Sequence, residues 1–119
     1  SHPHVPQPAF SLRSAVDGRS SREIRDDVLR AREIQQKRFK NKPNMTNARM
    51  GPKLIREHCQ FGPEGEAILK SAVQELGLSA RAHDKILRVA RTIADIEGSD
   101  QIKTEFLAEA IQYRRLDRA

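Results

Sequence analysis

Helix start and stop signals divide the chain from Ser20 onward into a series of short segments. Ser20 and Glu23 have the spacing of a capping box, in which each side chain accepts a hydrogen bond from the other residue's backbone N–H. This spacing predicts a long first helix that begins near Ser21 and ends before the Asn-Lys-Pro sequence at 41–43. Proline disfavours a helix interior, so the next residues are expected to hold only short helical turns.

Similar signals separate the later segments. Proline is favoured at the first position of a helix, and glycine readily adopts the left-handed conformation that ends one. Pro63 and Gly77 therefore bracket one predicted helix, and Ser79 and Gly98 bracket the next. The predicted segments after the first helix are a turn within 44–51 and helices near 52–58, 63–76, 80–97 and 104–115.

Apolar residues recur at helical spacing in each of the four long segments. The segment 80–97 has the widest apolar face, which predicts contacts on more than one side and a central position. Gln35 is the polar member of its face, and it either bonds to a neighbouring backbone or joins the first helix to another element. The predicted faces are Ile24, Val28, Ala31, Gln35 and Phe39; Ala67, Ile68, Ala72, Val73 and Leu76; Ile86, Leu87, Val89, Ala90, Ile93, Ala94 and Ile96; and Phe106, Leu107, Ala110, Ile111 and Tyr113.

These signals predict an all-α bundle of four main helices with one or two short ones. The composition agrees, because only 4% of the residues are aromatic, whereas sheet sandwiches favour aromatic and β-branched residues. Residues 20–119 are expected to form one helical domain, and residues 1–19, which hold three prolines, a flexible linker or tail. Because the chain opens on Ser1 and not on Met, we expect a fragment in which Ser1 and His2 are a tag remnant.

Several classes of active site are missing from the sequence. There is no Gly-rich phosphate-binding loop followed by Lys-Ser or Lys-Thr, so we expect no ATP hydrolysis by this chain alone. His58 and Cys59 are adjacent and there is no second cysteine, which argues against a zinc site and makes Cys59 a small buried apolar residue. No apolar run reaches the roughly 20 residues of a membrane span, so no membrane partner is expected.

The chain carries a net charge of +6, which permits a nucleic-acid partner without requiring one. Most basic residues alternate with acidic ones, as on solvated helix faces. The first helix is the most basic element, and its candidate DNA contacts are Arg32, Lys37 and Arg38. An independent DNA- or protein-binding module is therefore one hypothesis, although the aromatic residues that stack on single strands are scarce.

Three blocks of the sequence resemble the C-terminal helical domain of the ComM/YifB-type proteins, which are AAA+ ATPases related to the magnesium-chelatase I subunit. The central block, LSARAHDKILRVARTIADIEG, runs from Leu78 to Gly98. The resemblance covers residues 20–118, although the first helix has Gln-Lys-Arg at 36–38 where the family usually has Gln-Arg-x-Arg. The flanking blocks are Ala31-Arg32, Gln35, Arg38-Phe39 and Asn47-Ala48 on one side, and residues 106–118 on the other.

The resemblance implies the lid domain of an AAA+ ATPase. Arg81 matches the sensor-2 arginine, which contacts the terminal phosphate of ATP held by the base domain, and Arg88 is an accessory candidate two turns later. Arg91 and Asp95 are expected to form a structural ion pair, with Arg91 also oriented toward Glu109.

The same resemblance implies the cofactors and partners of a longer parent protein. ATP and magnesium would bind the full-length parent, whose partners would be the base domain of the same chain and neighbouring subunits of a homo-oligomeric ring. The central block is closer to the ComM type, which is linked to DNA branch migration in natural transformation, than to true chelatase subunits. The resemblance thus implies a cytoplasmic, DNA-remodelling parent; the alternatives are a chelatase lid or the independent binding module.

Overall fold

The computed structural model describes residues 20–118, with side chains through residue 116, so the tail predicted at 1–19 lies outside the described residues. The described part contains helices and loops and no strand, which confirms the all-α prediction. A 3-10 turn lies between the first two helices. The elements are α1 (Ser21–Arg38), the 3-10 turn (Asn47–Arg49), α2 (Pro52–His58), α3 (Pro63–Leu76), α4 (Ala80–Ile96) and α5 (Thr104–Arg118).

The helix ends follow the predicted local signals. The capping box of α1 is present, since the Glu23 N–H donates to Ser20 Oγ at 3.2 Å and the Ser20 N–H donates to Glu23 Oε1 at 2.9 Å. Pro52 and Pro63 occupy first helical positions. Gly77 ends α3 with a φ of +63°, a conformation that side chains with a Cβ rarely adopt.

Helix α4 lies at the centre of the bundle, as its wide apolar face predicts. It packs against α1, the 3-10 turn, α2 and α5, while α5 also packs against α3. Ala90 and Ala94 are fully buried, and their small side chains let neighbouring elements approach closely. The predicted residues of this face are all buried apart from Val89, which is partly buried.

The packing face of α3 differs from the predicted one. Ala67 is exposed, and Leu69, which was absent from the predicted face, is buried. Gly65 belongs to the observed packing face and lies against α5, where a Cβ at this position would lie 2.6 Å from Leu107 Cδ1. Glycine thus allows a close approach of α3 to α5, and a search for apolar periodicity does not detect this role of Gly65.

No helix among residues 20–118 is long and apolar enough to cross a membrane.

Candidate functional site

Arg81 lies in the first turn of α4, where the sequence places it. Ser79 caps this helix, its Oγ accepting a hydrogen bond from the Ala82 N–H at 3.1 Å. The Arg81 side chain is exposed and has no hydrogen-bond or ion-pair partner within residues 20–118. A permanently charged, forked donor therefore projects from a helix end that itself carries partial positive charge.

This arrangement suits the recognition of an anion held outside the domain. Backbone N–H groups at a helix start favour negative charge, and guanidinium binds phosphate oxygens through paired hydrogen bonds. Arg81 alone does not make a nucleotide site, because the sequence has no phosphate-binding loop to accompany it. The described residues can thus add one contact to a bound nucleotide but cannot enclose it.

Arg88 lies two turns after Arg81 on the same helix. It is half-buried, and its Nη1 donates to the Met50 carbonyl at 3.3 Å. This bond ties α4 to the chain just after the 3-10 turn. An accessory nucleotide contact by Arg88 stays a prediction, and the hydrogen bond that the structure shows is internal.

The other end of α4 holds a buried ion-pair network around Asp95. The Asp95 carboxylate is fully buried, and Arg38 of α1 binds it through two hydrogen bonds of 2.7 Å, one to each oxygen. Arg91 adds a third contact of 3.1 Å, which confirms the predicted pair between Arg91 and Asp95. Two guanidinium groups thus share one carboxylate between α1 and α4.

Asn47 connects this network to the 3-10 turn. Its side-chain amide donates to Asp95 at 2.8 Å and to Thr92 at 3.2 Å, while its Oδ1 accepts from Arg38 at 2.9 Å. The Asn47 backbone N–H donates to Gln35 Oε1 at 2.9 Å. Both interpretations of Gln35 therefore hold, because it bonds to backbone and in doing so joins α1 to the next element.

Arg91 fixes the loop between α4 and α5. Its guanidinium donates to the carbonyls of Ser99 at 2.8 Å, Asp100 at 3.0 Å and His58 at 3.3 Å. Burial lowers the pKa of Arg91, and the neighbouring Asp95 carboxylate opposes that shift. The orientation toward Glu109 stays a prediction, since the hydrogen bonds described for Arg91 go to these carbonyls.

The candidate DNA contacts on α1 separate into two kinds. Arg32 and Lys37 are exposed, and their contact with DNA stays a prediction. Arg38 differs, because its side chain is only 11% exposed and is held by Asp95 and Asn47. The structure thus gives Arg38 an internal role in place of the expected surface one; sequence periodicity missed it because Asp95 lies 57 residues away.

Cys59 is buried, as expected, with 3% of its surface exposed. Burial raises the pKa of its thiol to about 11, so it is not a ready thiolate. Burial also lowers the pKa of the adjacent His58 imidazole. Among the side chains that the structure describes, residues 20–116, there is no group of three or more metal-ligating residues.

Comparison of the sequence with known proteins places the chain in a family. Residues 18–114 match the family model described as magnesium chelatase, subunit ChlI C-terminal. The chain is 40% identical over 114 residues to the uncharacterized protein YifB of Escherichia coli strain K12, covering 96% of this chain and 22% of the relative. It is also 40% identical over 112 residues to the competence protein ComM of Haemophilus influenzae, covering 93% of this chain and 21% of the relative.

More distant relatives extend the comparison. An uncharacterized protein of Mycobacterium tuberculosis is 34% identical over 104 residues, covering 86% of this chain and 20% of the relative. No solved structure gives a significant match to the chain. The chain spans about one fifth of the length of the curated relatives it matches.

Proposed function

Because the chain belongs to the family of magnesium-chelatase C-terminal domains and corresponds to that domain of the ComM/YifB-type proteins, we propose that it is a lid whose Arg81 senses bound ATP. The ATP would be held by a base domain elsewhere in the longer protein. Arg81 would contact the terminal phosphate and stabilise the negative charge that develops as this phosphoryl group leaves.

The observation that carries this proposal is the state of Arg81 itself. It is exposed, has no partner within residues 20–118, and lies at the start of the helix most deeply anchored in the bundle. Because Arg81 lies on a well-packed helix and not on a flexible loop, the position of its guanidinium is well defined. Contact with a transition state requires such accurate positioning.

Magnesium and the phosphate groups of ATP would be bound by the remainder of the parent protein. The parent would form a homo-oligomeric ring, with neighbouring subunits as further partners of this domain. The parent would thus be an ATPase, with this domain supplying one contact and no hydrolysis of its own.

We further propose that the parent is a DNA-remodelling motor and not a chelatase subunit. Support comes from the 40% identity to a relative named competence protein ComM and from the net charge of +6. An independent basic module is less favoured, because Arg38, one of its expected DNA contacts, lies in the internal ion pair with Asp95.

The test of the lid proposal is Arg81→Ala in the full-length parent. Arginines that contact a transferring phosphoryl group contribute about 10³-fold or more in rate, so ATP turnover is expected to fall by up to that factor. The readout is steady-state phosphate release at saturating ATP and magnesium, together with the ATP concentration for half-maximal turnover.

Arg22→Ala is a matched control for this experiment. Arg22 is also an exposed arginine at the second position of a helix that follows a serine cap, but in α1. Its removal is expected to change the unfolding free energy by no more than about 0.5 kcal/mol and so to leave ATP turnover close to that of the wild type. Equal turnover for wild type and Arg81→Ala would refute the sensor role.

A further inference from the structure

A basic cleft lies on a different part of the molecule from Arg81. It is formed by the C-terminal end of α1, the loop that follows and helix α2, and its volume is about 380 Å³. Lys40 and Lys42 line it from the loop, and Lys53 lines it from α2. Arg81 and the α1 residues Arg32 and Lys37 are not among its lining residues.

The three lysines give the cleft a positive charge that the domain does not neutralise. All three are exposed, and none has a side-chain hydrogen bond or ion pair within residues 20–118. Glu57 is the acidic residue of the lining. An excess of positive charge in a concave surface attracts polyanions and raises their local concentration.

The loop that carries two of these lysines is held in place. The Lys42 N–H donates to the Phe39 carbonyl at 2.7 Å, and the Met45 N–H donates to the Lys42 carbonyl at 2.9 Å. Phe39 is buried and packs edge-on against His58 of α2, with ring centroids 5.5 Å apart. This contact fixes the loop against α2 and so sets the two sides of the cleft before any ligand arrives.

The wall of the cleft adds to its charge. Arg38 lines this cleft and also a neighbouring polar one that includes Arg91. Both guanidinium groups bind the single Asp95 carboxylate, so this buried cluster keeps one positive charge in excess. Of the two guanidinium groups, that of Arg38 lines the cleft itself and adds positive charge to the three lysines, while Glu57 and Asp100 also line the neighbouring one.

We propose that this cleft binds the sugar-phosphate backbone of nucleic acid. Lysine is a flexible point charge suited to phosphate, and three of them border one concavity. Two rings line the cleft, the buried Phe39 and the half-buried His58, and they pack edge-on against each other. The cleft has no exposed Phe, Tyr or Trp for base stacking, so recognition rests on phosphate and is independent of sequence.

A protein partner fits the cleft less well. Strong protein interfaces are built on exposed apolar or aromatic anchors, whereas the apolar members here are the buried Phe39 and the half-buried Leu54.

The inference deepens the DNA-linked part of the proposed function. Its failure would leave the sensor role intact, because Arg81 is measured by ATP turnover and does not line this cleft.

The experiment compares binding of a fluorescent 30-base-pair duplex to this chain and to a Lys40→Ala/Lys42→Ala/Lys53→Ala variant by anisotropy. Log affinity falls with log salt, and each phosphate contact contributes about 0.9 to the steepness of that fall. Loss of three contacts is therefore expected to make the variant's salt dependence shallower by about 2.7. At low salt the same loss should weaken binding by about tenfold or more. Circular dichroism checks that the variant stays folded, as expected for three exposed side chains.

Two further variants complete the design. Arg25→Ala/Lys70→Ala/Lys103→Ala removes the same charge from exposed positions that do not line the cleft and should keep the wild-type slope. Arg32→Ala/Lys37→Ala tests the α1 face in the same way. The proposal is overturned if wild type binds no duplex, if the control triple weakens binding as much as the cleft triple, or if only the α1 pair does. It is also overturned if the cleft triple loses binding to a poly-glutamate peptide while its duplex affinity is unchanged.

Discussion

The two ends of α4 use the same residue type in opposite ways. At the start, Arg81 is exposed and unpaired within residues 20–118, next to a serine cap. Three turns later, Arg91 is buried and makes hydrogen bonds to three carbonyls and an ion pair with Asp95. Burial and available partners, and not residue type, decide whether an arginine holds a fold together or remains free for a ligand.

The two ends of α4 therefore have different roles: the C-terminal end anchors the helix and the N-terminal end exposes a side chain. Near its end, α4 is joined to α1 by Arg38 bound to Asp95 and by Arg30, whose Nη2 donates to the Ile96 carbonyl at 3.0 Å. These contacts set the direction of the helix. The start of the helix is held by the Ser79 cap and by the buried Ala82, and Arg81 between them is exposed at a defined place on the surface.

The largest effect on folding is expected from Asp95→Ala. Removing this carboxylate would leave two buried guanidinium groups without their counter-charge, and breaking one partner of a buried pair costs about 3–5 kcal/mol of unfolding free energy. Urea or guanidinium denaturation followed by circular dichroism measures the change. Asp84→Ala, on the same helix but partly exposed, serves as the control and should cost far less. A loss below about 1 kcal/mol for Asp95→Ala, the range of exposed pairs, would remove the anchoring role of this end.

Asn47→Ala should have the next largest effect. Its side chain is buried and bonds to Arg38, Thr92 and Asp95, so truncation leaves buried polar groups short of partners at a cost of about 1–3 kcal/mol. The exposed Asn44→Ala in the same loop should be nearly neutral. A double-mutant cycle with Asp95→Ala should show coupling, because the two side chains are in direct contact. Strict additivity would contradict a shared network.

The structure separates what local signals predict from what they miss. Caps, prolines and glycine stops act within a few residues, so the starts of α1 to α4 follow from Ser20, Pro52, Pro63 and Ser79, and the end of α3 from Gly77. The last helix continues to Arg118, beyond the predicted 115, because no glycine or proline stops it.

Contacts between distant segments are the part that periodicity misses. The pairing of Arg38 with Asp95 joins residues 57 apart, and the burial of Asp27 on α1 reflects its position beside Arg30, which reaches α4. One signal was available in the sequence: Gln35, Arg38 and Asn47 all belong to the blocks that resemble the family. Polar residues shared with a family mark either a ligand site or an internal network, and only the structure shows that these form a network.

Ser79→Ala probes the displayed end of α4 with a smaller expected effect. The Ser79 hydroxyl accepts the Ala82 N–H at 3.1 Å, and loss of such a cap costs about 1 kcal/mol. Ser71→Ala on α3 is a control, because this exposed serine lies inside a helix where alanine is favoured. Chemical denaturation of both variants measures the difference. If Ser79→Ala were as costly as Asp95→Ala, the start of α4 would also be an anchor and the comparison would fail.

The smallest effect on folding is expected from Arg81→Ala in this chain. Arg81 is exposed and its guanidinium has no partner within residues 20–118, so no described contact is lost and the unfolding free energy should change by less than about 0.5 kcal/mol. Alanine is also the better helix former, which offsets any loss from stacking of the arginine stem. Arg22→Ala, at the same position after the cap of α1, should behave alike in this measurement. The two variants should then differ only in the full-length parent, where Arg81→Ala lowers ATP turnover and Arg22→Ala does not. A destabilised Arg81→Ala domain would make any fall in turnover a folding effect, and Arg81 would then belong with Arg91 among the arginines that hold the bundle together.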